Sequence, residues 1–279
     1  MFSRQFAIEE ALMKDMSSID YSAFDRKEIL TFLFYPRKEE GWDGEAGSFE
    51  ELGIPVEGGE TIGGRFYNAA PNAPSILFFH GNGEIVADYA DLAPLYVRLG
   101  VNFIPVDYRG YGRSTGSPTV TGMMRDCHYI FDFVKNLLKE KGFPGPLVVM
   151  GRSLGSASAL ELAAHYPDEV KALVIESGFA YILPLLRLLG INAGNVGISE
   201  EGTFNHTAKI KKYKNPLLVI HAEHDHIIPF SDGEALFNAA ESPEKEFLAI
   251  KHANHNNIFQ YGLREYIAAV DALLEKISS

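Results

Sequence analysis

Cysteine is nearly absent from this 279-residue chain, and so is any run of basic residues. Cys127 is the single cysteine, so no disulfide can form within the chain. The net charge is −12, from 25 basic and 37 acidic residues, and no cluster of lysine and arginine offsets it locally. Because nucleic acids and anionic membrane surfaces are bound through such clusters, we expect neither as a partner.

Long hydrophobic runs are missing as well. The most apolar long stretch, residues 172–191, is interrupted by Glu176, Pro184 and Arg187, which a membrane-spanning helix rarely combines. The first 15 residues carry three carboxylates and no long apolar segment, so we expect neither a signal peptide nor a membrane span there. Together with the single cysteine, these absences predict a soluble protein of the cytoplasm.

Six short apolar segments are the strongest regular feature of the chain. They cover residues 75–80, 101–107, 146–151, 172–177, 216–222 and 246–251. Most are apolar on both faces, which is typical of strands covered by helices on both sides. Amphipathic stretches lie between them, and a final helix is predicted over residues 257–277. This alternation predicts an α/β fold with a doubly wound, mostly parallel sheet.

The N-terminal part of the chain departs from this alternation. Residues 28–36 and 60–69 follow one another without a helix between them, so we expect two antiparallel strands there. The acidic, glycine-rich segment between them is predicted to be a surface loop, and residues 1–20 a helical extension. The long interval 178–215 separates two predicted strands and predicts a small helical cap. We expect a single domain over residues 1–279.

The pentapeptide Gly-Arg-Ser-x-Gly occurs twice, at residues 112–116 and 151–155, and both copies match the pattern of a serine nucleophile. So short a pattern also arises by chance. A nucleophilic serine lies at a sharp turn from a strand into a helix. Ser153 lies between an apolar run and a helical segment, whereas Ser114 lies among glycines just before Pro118. The sequence therefore predicts that Ser153 is the nucleophile and that Ser114 is a turn serine.

Candidate partners for Ser153 follow the later strands. A serine hydroxyl needs a general base that a third group orients. In a doubly wound sheet the reactive groups lie beyond the C-terminal ends of the strands. Asp225 follows the predicted strand 216–222, and His252 and His255 follow the last strand. The order Ser, Asp, His along the chain is one of the known orders of a catalytic triad.

Taken together, these motifs resemble those of the α/β-hydrolase fold serine hydrolases, from about residue 61 to the C-terminus. The matching segments are HGNGE (80–84), DYRGYGRSTGSP (107–118), GRSLG (151–155), HAEHDHIIP (221–229) and HANHNN (252–257). The similarity is greatest to the small-cap branch, with its stand-alone bacterial hydrolases and acyl-protein-thioesterase-like members. It implies an esterase or thioesterase that acts on a small-molecule or acyl substrate through an acyl-enzyme and needs no cofactor.

The resemblance also implies which histidine is the base. Position 255 corresponds to the loop histidine of the family, whereas His252 lies at the end of the strand. The implied triad is therefore Ser153, Asp225 and His255. In this arrangement the imidazole accepts the proton of the serine hydroxyl, and the aspartate orients the ring.

The resemblance further implies an oxyanion hole made by two backbone N–H groups, those of Asn82 and Leu154. These residues follow the His-Gly pair and the nucleophile. Two positions depart from the usual family pattern, because Ala222 and Ala253 stand where glycine is common. Neither change removes a reacting group.

Alternatives to an esterase remain open at this point. An aminopeptidase-type amidase of the same fold needs an acidic pocket for the substrate ammonium, for which Glu84, Glu200 and Glu201 are the candidates. A catalytically silent binding protein is a further alternative, because a fold alone does not determine function. Dehalogenase and epoxide hydrolase chemistry is disfavoured, because those relatives carry aspartate at the position of Ser153.

Six of the nine histidines fall between residues 206 and 255, and the segment HAEHDH suggests a metal site. However, no His-Glu-x-x-His pair puts two ligands one helical turn apart, so no metal is expected. The remaining charged residues near the motifs have plainer interpretations. Asp107 and Arg109 are predicted to form a structural pair, and Cys127 to pack inside a helix. The apolar stretch 179–191 either lines an acyl pocket or covers the core.

Two further charges flank the predicted nucleophile. Arg152 directly precedes Ser153, and Glu84 lies in the HGNGE segment. They either contact substrate or belong to the charged surface and to the electrostatics of a helix N-terminus.

Overall fold

The fold is that of a computed structural model, which describes residues 19–40, 49–191, 194, 198–200 and 203–277. In these ranges the strands are β1 (Glu50–Pro55), β2 (Thr61–Phe66), β3 (Ser75–Phe79), β4 (Asn102–Val106), β5 (Leu147–Arg152), β6 (Ala172–Glu176), β7 (Leu217–Ala222) and β8 (Lys245–Ile250). They form one eight-stranded sheet in the order β1-β2-β4-β3-β5-β6-β7-β8. The pairs β1–β2 and β2–β4 are antiparallel, and the others are parallel. The predicted fold class is thus confirmed.

Helices cover both faces of the sheet. Within the described residues they are α1 (Lys27–Leu33), α2 (Ala93–Arg98), α3 (Val120–Lys141), α4 (Ser156–His165), α5 (Ile182–Leu188), α6 (His206–Lys212), α7 (Phe230–Ala239) and α8 (Ile258–Glu275). Alternate side chains of each strand enter two separate cores. In β5, Val149 belongs to the core that contains residues of α3, α4 and α7, whereas Val148 and Met150 belong to the core that contains residues of α2 and α8. The central strands are therefore apolar on both faces, as the sequence indicates.

The helix α3 illustrates how local sequence sets an element's ends. The hydroxyl of Thr119 accepts a hydrogen bond from the N–H of Gly122 at 2.8 Å and caps the first turn. The helix ends at Gly142, whose φ of +73° is readily adopted only by glycine. Cys127 lies fully buried on its inner face, so its predicted packing role is confirmed.

The N-terminal prediction of a strand at residues 28–36 is wrong. The chain forms α1 there, with Ile29 and Leu33 buried one helical turn apart. The hydrophobic run fits both a period of two and a period near four, and contact with the core favours the helix. Phe34, just after the helix, is also buried.

The predicted surface loop before residue 60 contains a strand instead. Strand β1 pairs with β2 over its whole length, and its Leu52 and Ile54 face the core. Gly53 and Pro55 are typical of turns, so the sequence pattern predicts a loop at this strand. Proline is tolerated there because β1 lies at the edge of the sheet, where one side of the strand needs no ladder partner.

The interval 178–215 contains α5 and α6, between β6 and β7. Ile182 and Leu186 of α5 are buried in the same core as α4. The assignment of this interval as a cap, and of residues 1–279 as one domain, stays a prediction. Residues 1–18 of the predicted extension lie outside the described residues. None of the described helices is long and apolar enough to cross a membrane.

Candidate active site

The chain makes a sharp turn between β5 and α4, and Ser153 lies at its tip. Its φ is +51°, in the left-handed region that most residues avoid. Both glycines of the pentapeptide are needed here. A Cβ on Gly151 would lie 2.3 Å from the carbonyl oxygen of Gly155, and one on Gly155 would lie 2.1 Å from that of Phe79. This close approach of the backbones places the serine Oγ at the tip of the strand-to-helix turn.

Ser153, His255 and Asp225 form a chain of hydrogen bonds. Nε2 of His255 lies 2.9 Å from Oγ of Ser153, and Nδ1 lies 2.7 Å from Oδ2 of Asp225. All three side chains are buried. Asp225 follows β7 and His255 follows β8, so adjacent parallel strands bring the two loops together. With Nδ1–H donating to the aspartate, Nε2 is the acceptor for the serine proton.

The second oxygen of Asp225 is also held. Oδ1 accepts hydrogen bonds from the backbone N–H groups of Ile227 and Ile228, at 2.9 and 2.8 Å. Burial by itself raises the pKa of this carboxyl, but the hydrogen bond and charge of His255 and these two N–H groups outweigh it. The pKa of Asp225 therefore lies below its ordinary value, and the group is an anion at neutral pH.

The other histidines of this region lie outside that chain. His221 is buried in β7, where Nε2 donates to the carbonyl oxygen of Ile228 at 3.0 Å, and burial lowers its pKa. His252 is exposed, and its backbone N–H donates to the carboxylate of Glu223. His252 also has a positive φ of 63°. Within the part of the chain that the structure describes, His255 and not His252 is hydrogen-bonded to Ser153 and Asp225.

Two groups of side chains among the described residues could hold a metal ion, with ligand atoms within 4.8 Å of one another. They are His128, Glu161 and His165, and Glu223, His224 and His252. Neither group contains a member of the Ser153–His255–Asp225 chain. In the first group, Glu161 already pairs with Lys209 at 2.6 Å.

The two residues expected at the oxyanion hole follow β5 and β3, which are adjacent parallel strands. Leu154 follows Ser153 in the first turn before α4, and Asn82 lies in the loop after β3. The side-chain Oδ1 of Asn82 accepts hydrogen bonds from the N–H of Tyr35 at 2.8 Å and the hydroxyl of Tyr111 at 2.7 Å. Sequence reasoning missed both tyrosines. Tyr111 lies within a motif segment, but nothing in the sequence around Tyr35 indicates this contact.

The expected pairing of Asp107 with Arg109 is wrong. Arg109 makes two 2.7 Å contacts with the carboxylate of Asp126 on α3. Asp107 instead accepts the N–H of Val86 at 3.0 Å and lies 3.3 Å from Nε2 of His80. The chain turns immediately after β4, so the two side chains reach different elements. Both charges are nevertheless structural in this arrangement.

The second pentapeptide serine, Ser114, lies in a loop as expected. It is buried, and its Oγ accepts the N–H of Gly63 at 2.9 Å. The acidic residues considered for a substrate ammonium also have partners. Glu84 pairs with Arg152 at 2.8 Å, and Glu200 accepts the N–H groups that begin α5. Glu201 lies outside the described residues.

Comparison with known proteins shows the family of the chain. A family model described as "Serine aminopeptidase, S33" matches residues 70–194. The human Alpha/beta hydrolase domain-containing protein 17B is 30% identical over an alignment of 212 residues that covers 73% of this chain and 68% of that protein. The Uncharacterized protein YfhR of Escherichia coli K12 is 26% identical over 236 residues, covering 82% of this chain and 81% of its own.

Among solved structures, the esterase Pf2001 of Pyrococcus furiosus superposes with a TM-score of 0.70 at 17% identity, covering 88% of this chain and 99% of its own. This similarity shows the fold. The sheet and its strand-to-helix turn define the class of the protein, an α/β hydrolase. More specifically, the chain belongs to the superfamily of α/β-hydrolase fold serine hydrolases.

Proposed function

We propose that this protein hydrolyses carboxylic esters or thioesters through an acyl-enzyme intermediate. The observation that carries the proposal is the buried hydrogen-bonded chain from Ser153 through His255 to Asp225. It combines a hydroxyl at a strained turn with a base at hydrogen-bond distance and an anion that orients the base. A small-molecule or acyl substrate and the absence of any cofactor follow from this chemistry.

In the first step, Oγ of Ser153 attacks the acyl carbonyl while Nε2 of His255 accepts the hydroxyl proton. The imidazolium that forms is stabilised by Asp225, which also maintains the required tautomer. The backbone N–H groups of Ile227 and Ile228 hold the aspartate in place. His255 then donates the proton to the leaving alcohol or thiol, and the acyl group remains on the serine.

The negative charge that develops on the carbonyl oxygen needs donors of its own. We assign this role to the backbone N–H groups of Asn82 and Leu154, assisted by the N-terminus of α4. Loss of one such donor typically lowers the rate by about 10²–10³-fold. In the second half of the reaction, His255 removes a proton from water, which attacks the acyl-enzyme and releases the acid.

Ester chemistry is preferred here to amide cleavage. The matching family description names an aminopeptidase, and such an enzyme needs a free acidic group for the substrate ammonium. Glu84 and Glu200 already accept hydrogen bonds from the protein itself. Paired ester and amide substrates with the same acyl group distinguish the two activities. Faster hydrolysis of the amide would replace this proposal with an amidase.

Three accompanying proposals complete the description. The segment 178–215 acts as a small cap on a single domain that spans residues 1–279. Its apolar side chains, including exposed Leu188 of α5, suit an acyl substrate. The single cysteine supports a reducing, cytoplasmic location.

The test is covalent labelling with a fluorophosphonate, which reacts only with an activated serine. We expect one adduct by intact mass, located on Ser153 by peptide mapping, and none in the Ser153→Ala variant. Ser114→Ala is the matched control and should still be labelled. A folded wild-type protein that takes no label would favour the silent binding protein, and an adduct on Ser114 would overturn the assignment of the nucleophile.

A further inference from the structure

Arg152, the residue before the nucleophile, connects three separate segments of the molecule. It ends β5, and its side chain is only 9% exposed. Nε donates to Oε1 of Glu84 at 2.8 Å, Nη1 to Oε1 of Glu176 at 2.6 Å, and Nη2 to the carbonyl oxygen of His255 at 2.9 Å. A buried charge is costly unless its partners are well arranged. Each of the three guanidinium nitrogens donates to one such partner.

The contact with His255 acts on the imidazole through the backbone. The carbonyl that Arg152 holds and the ring that contacts Ser153 belong to the same residue. Fixing this carbonyl restricts the position from which the ring extends. Proton transfer needs the 2.9 Å separation of Nε2 and the serine Oγ to persist, and small displacements of catalytic groups are costly.

The contact with Glu84 reaches the loop that carries Asn82. The other oxygen of Glu84, Oε2, accepts the N–H of Gly81 at 2.7 Å and the hydroxyl of Tyr89 at 2.5 Å. A Cβ on Gly81 would lie 2.9 Å from this oxygen, so glycine permits the close approach. Burial alone raises the pKa of Glu84, but the charge of Arg152 and the hydroxyl of Tyr89 lower it to about 2. The carboxylate is therefore charged at neutral pH.

The contact with Glu176 anchors the guanidinium itself. Glu176 ends β6 and is 1% exposed. Its Oε2 accepts the hydroxyl of Tyr266, on α8, at 2.8 Å. Because α8 directly follows the loop of His255, this carboxylate connects the sheet to the helix on which that loop depends.

We propose that Arg152 is a positioning residue that holds the Asn82 loop and the His255 loop in fixed positions relative to Ser153. The kinetic part of this inference rests on the proposed function. The role requires arginine and not merely a positive charge. A lysine ammonium is a single point and does not reach three acceptors on three segments in the fixed geometry of a guanidinium.

The test is the conservative variant Arg152→Lys. We expect kcat and the rate of fluorophosphonate labelling to fall by roughly 10²-fold, the cost of a catalytic group misplaced by about 1 Å, with KM little changed. We expect two control variants to keep their activity. Arg113→Lys alters the arginine of the other pentapeptide, and Arg109→Lys alters a partly buried ion pair with Asp126. Neither arginine contacts Ser153, His255 or Asp225 among the described hydrogen bonds and ion pairs.

A second readout separates positioning from general stability and does not need turnover. The Nδ1–H proton between His255 and Asp225 is followed by NMR, and we expect its signal to weaken or vanish in Arg152→Lys but to persist in both controls. A folded Arg152→Lys protein with normal kcat and a normal signal would refute the proposal. Equal losses in Arg109→Lys would also refute it, because general destabilisation would then explain them.

If Arg152→Lys does not fold, Glu84→Gln tests the contact between Arg152 and the Asn82 loop separately. It keeps the bond from Arg152 to His255, so labelling should slow while the NMR signal stays. Labelling at the wild-type rate would contradict the link to the Asn82 loop. Absence of labelling in the wild type would instead defeat the proposed function, and the NMR comparison would still decide the role of Arg152.

Discussion

The two Gly-Arg-Ser-x-Gly segments differ in one residue type and almost entirely in surroundings. In 112–116 the serine lies in a loop, where its Oγ accepts a backbone N–H. In 151–155 it lies at a strand-to-helix turn with a φ of +51° and faces an imidazole. Arg113 is half exposed and pairs with Glu51, whereas Arg152 is buried against two carboxylates. The shared pattern therefore meets an imidazole in only one of the two segments, because the elements on either side differ.

The largest expected difference between the two segments is in the effect of removing the serine on the turnover rate. Ser153→Ala should reduce ester hydrolysis by up to about 10⁶-fold, since removing a triad serine has effects of this size. Ser114→Ala should leave kcat of the folded protein nearly unchanged. It should cost about 1–3 kcal/mol of unfolding free energy, because it leaves the buried N–H of Gly63 without its acceptor.

Initial rates on a short-chain ester and urea unfolding measure the two outcomes. A large loss of turnover in Ser114→Ala at normal stability would erase the distinction between the segments. So would full turnover in Ser153→Ala.

The last glycine of each pentapeptide provides the next test, which compares the loss of stability on substitution by alanine. Gly155→Ala should destabilise the fold by more than about 3 kcal/mol, because its Cβ would collide with the carbonyl oxygen of Phe79 in rigid backbone. Gly116→Ala meets only the flexible carboxylate of Glu60 and the strain of a φ of +72°, which should cost about 1–2 kcal/mol. Denaturant unfolding compares the two variants. Equal losses would mean that both turns are equally crowded.

The smallest effect concerns the acid stability that the two arginines confer. Burial opposes ionisation of Glu84, yet Arg152 brings its pKa down to about 2 from an ordinary 4.5. The stabilisation is fully present above pH 4.5 and is lost as the pH falls towards 2. Glu84→Gln should therefore lower stability near neutral pH and flatten this acid decline by on the order of 2 kcal/mol.

The matched variant is Glu51→Gln, which breaks the exposed pair of Arg113. Such surface pairs contribute between about 0 and 1 kcal/mol, so its acid decline should follow that of the wild type. Thermal unfolding as a function of pH measures both variants. A Glu84→Gln profile parallel to the wild type would show that Glu84 titrates at its ordinary pKa.

Sequence patterns predict the central sheet well because each parallel strand is buried on both faces. They fail at the edge, where β1 contains Gly53 and Pro55, and at α1, whose apolar residues fit two periods. Tertiary contact decides both cases. The predictions from local pattern are therefore least reliable at the edge of the sheet and where the apolar spacing fits two periods.

The candidate site divides in a similar way. The positions of Ser153, Asp225 and His255 at strand ends are readable from the chain, although their roles stay a prediction. The connections of Arg152 are not, because its partners lie 68, 24 and 103 positions away along the sequence. The same holds for the misassigned partner of Asp107. A charged side chain at the end of a buried strand indicates that an ion pair forms there. The sequence alone does not identify the partner residue.

The contact of Tyr35 with the Asn82 loop offers a practical use of the molecule. Only its main chain makes the contact with Asn82, and its side chain is 73% exposed. The single thiol, Cys127, is fully buried, and burial raises its pKa, so it reacts slowly with alkylating dyes. A Tyr35→Cys protein would thus accept a fluorophore at one chosen point. The dye would lie next to the Asn82 loop and would report the arrival of a substrate at the proposed site.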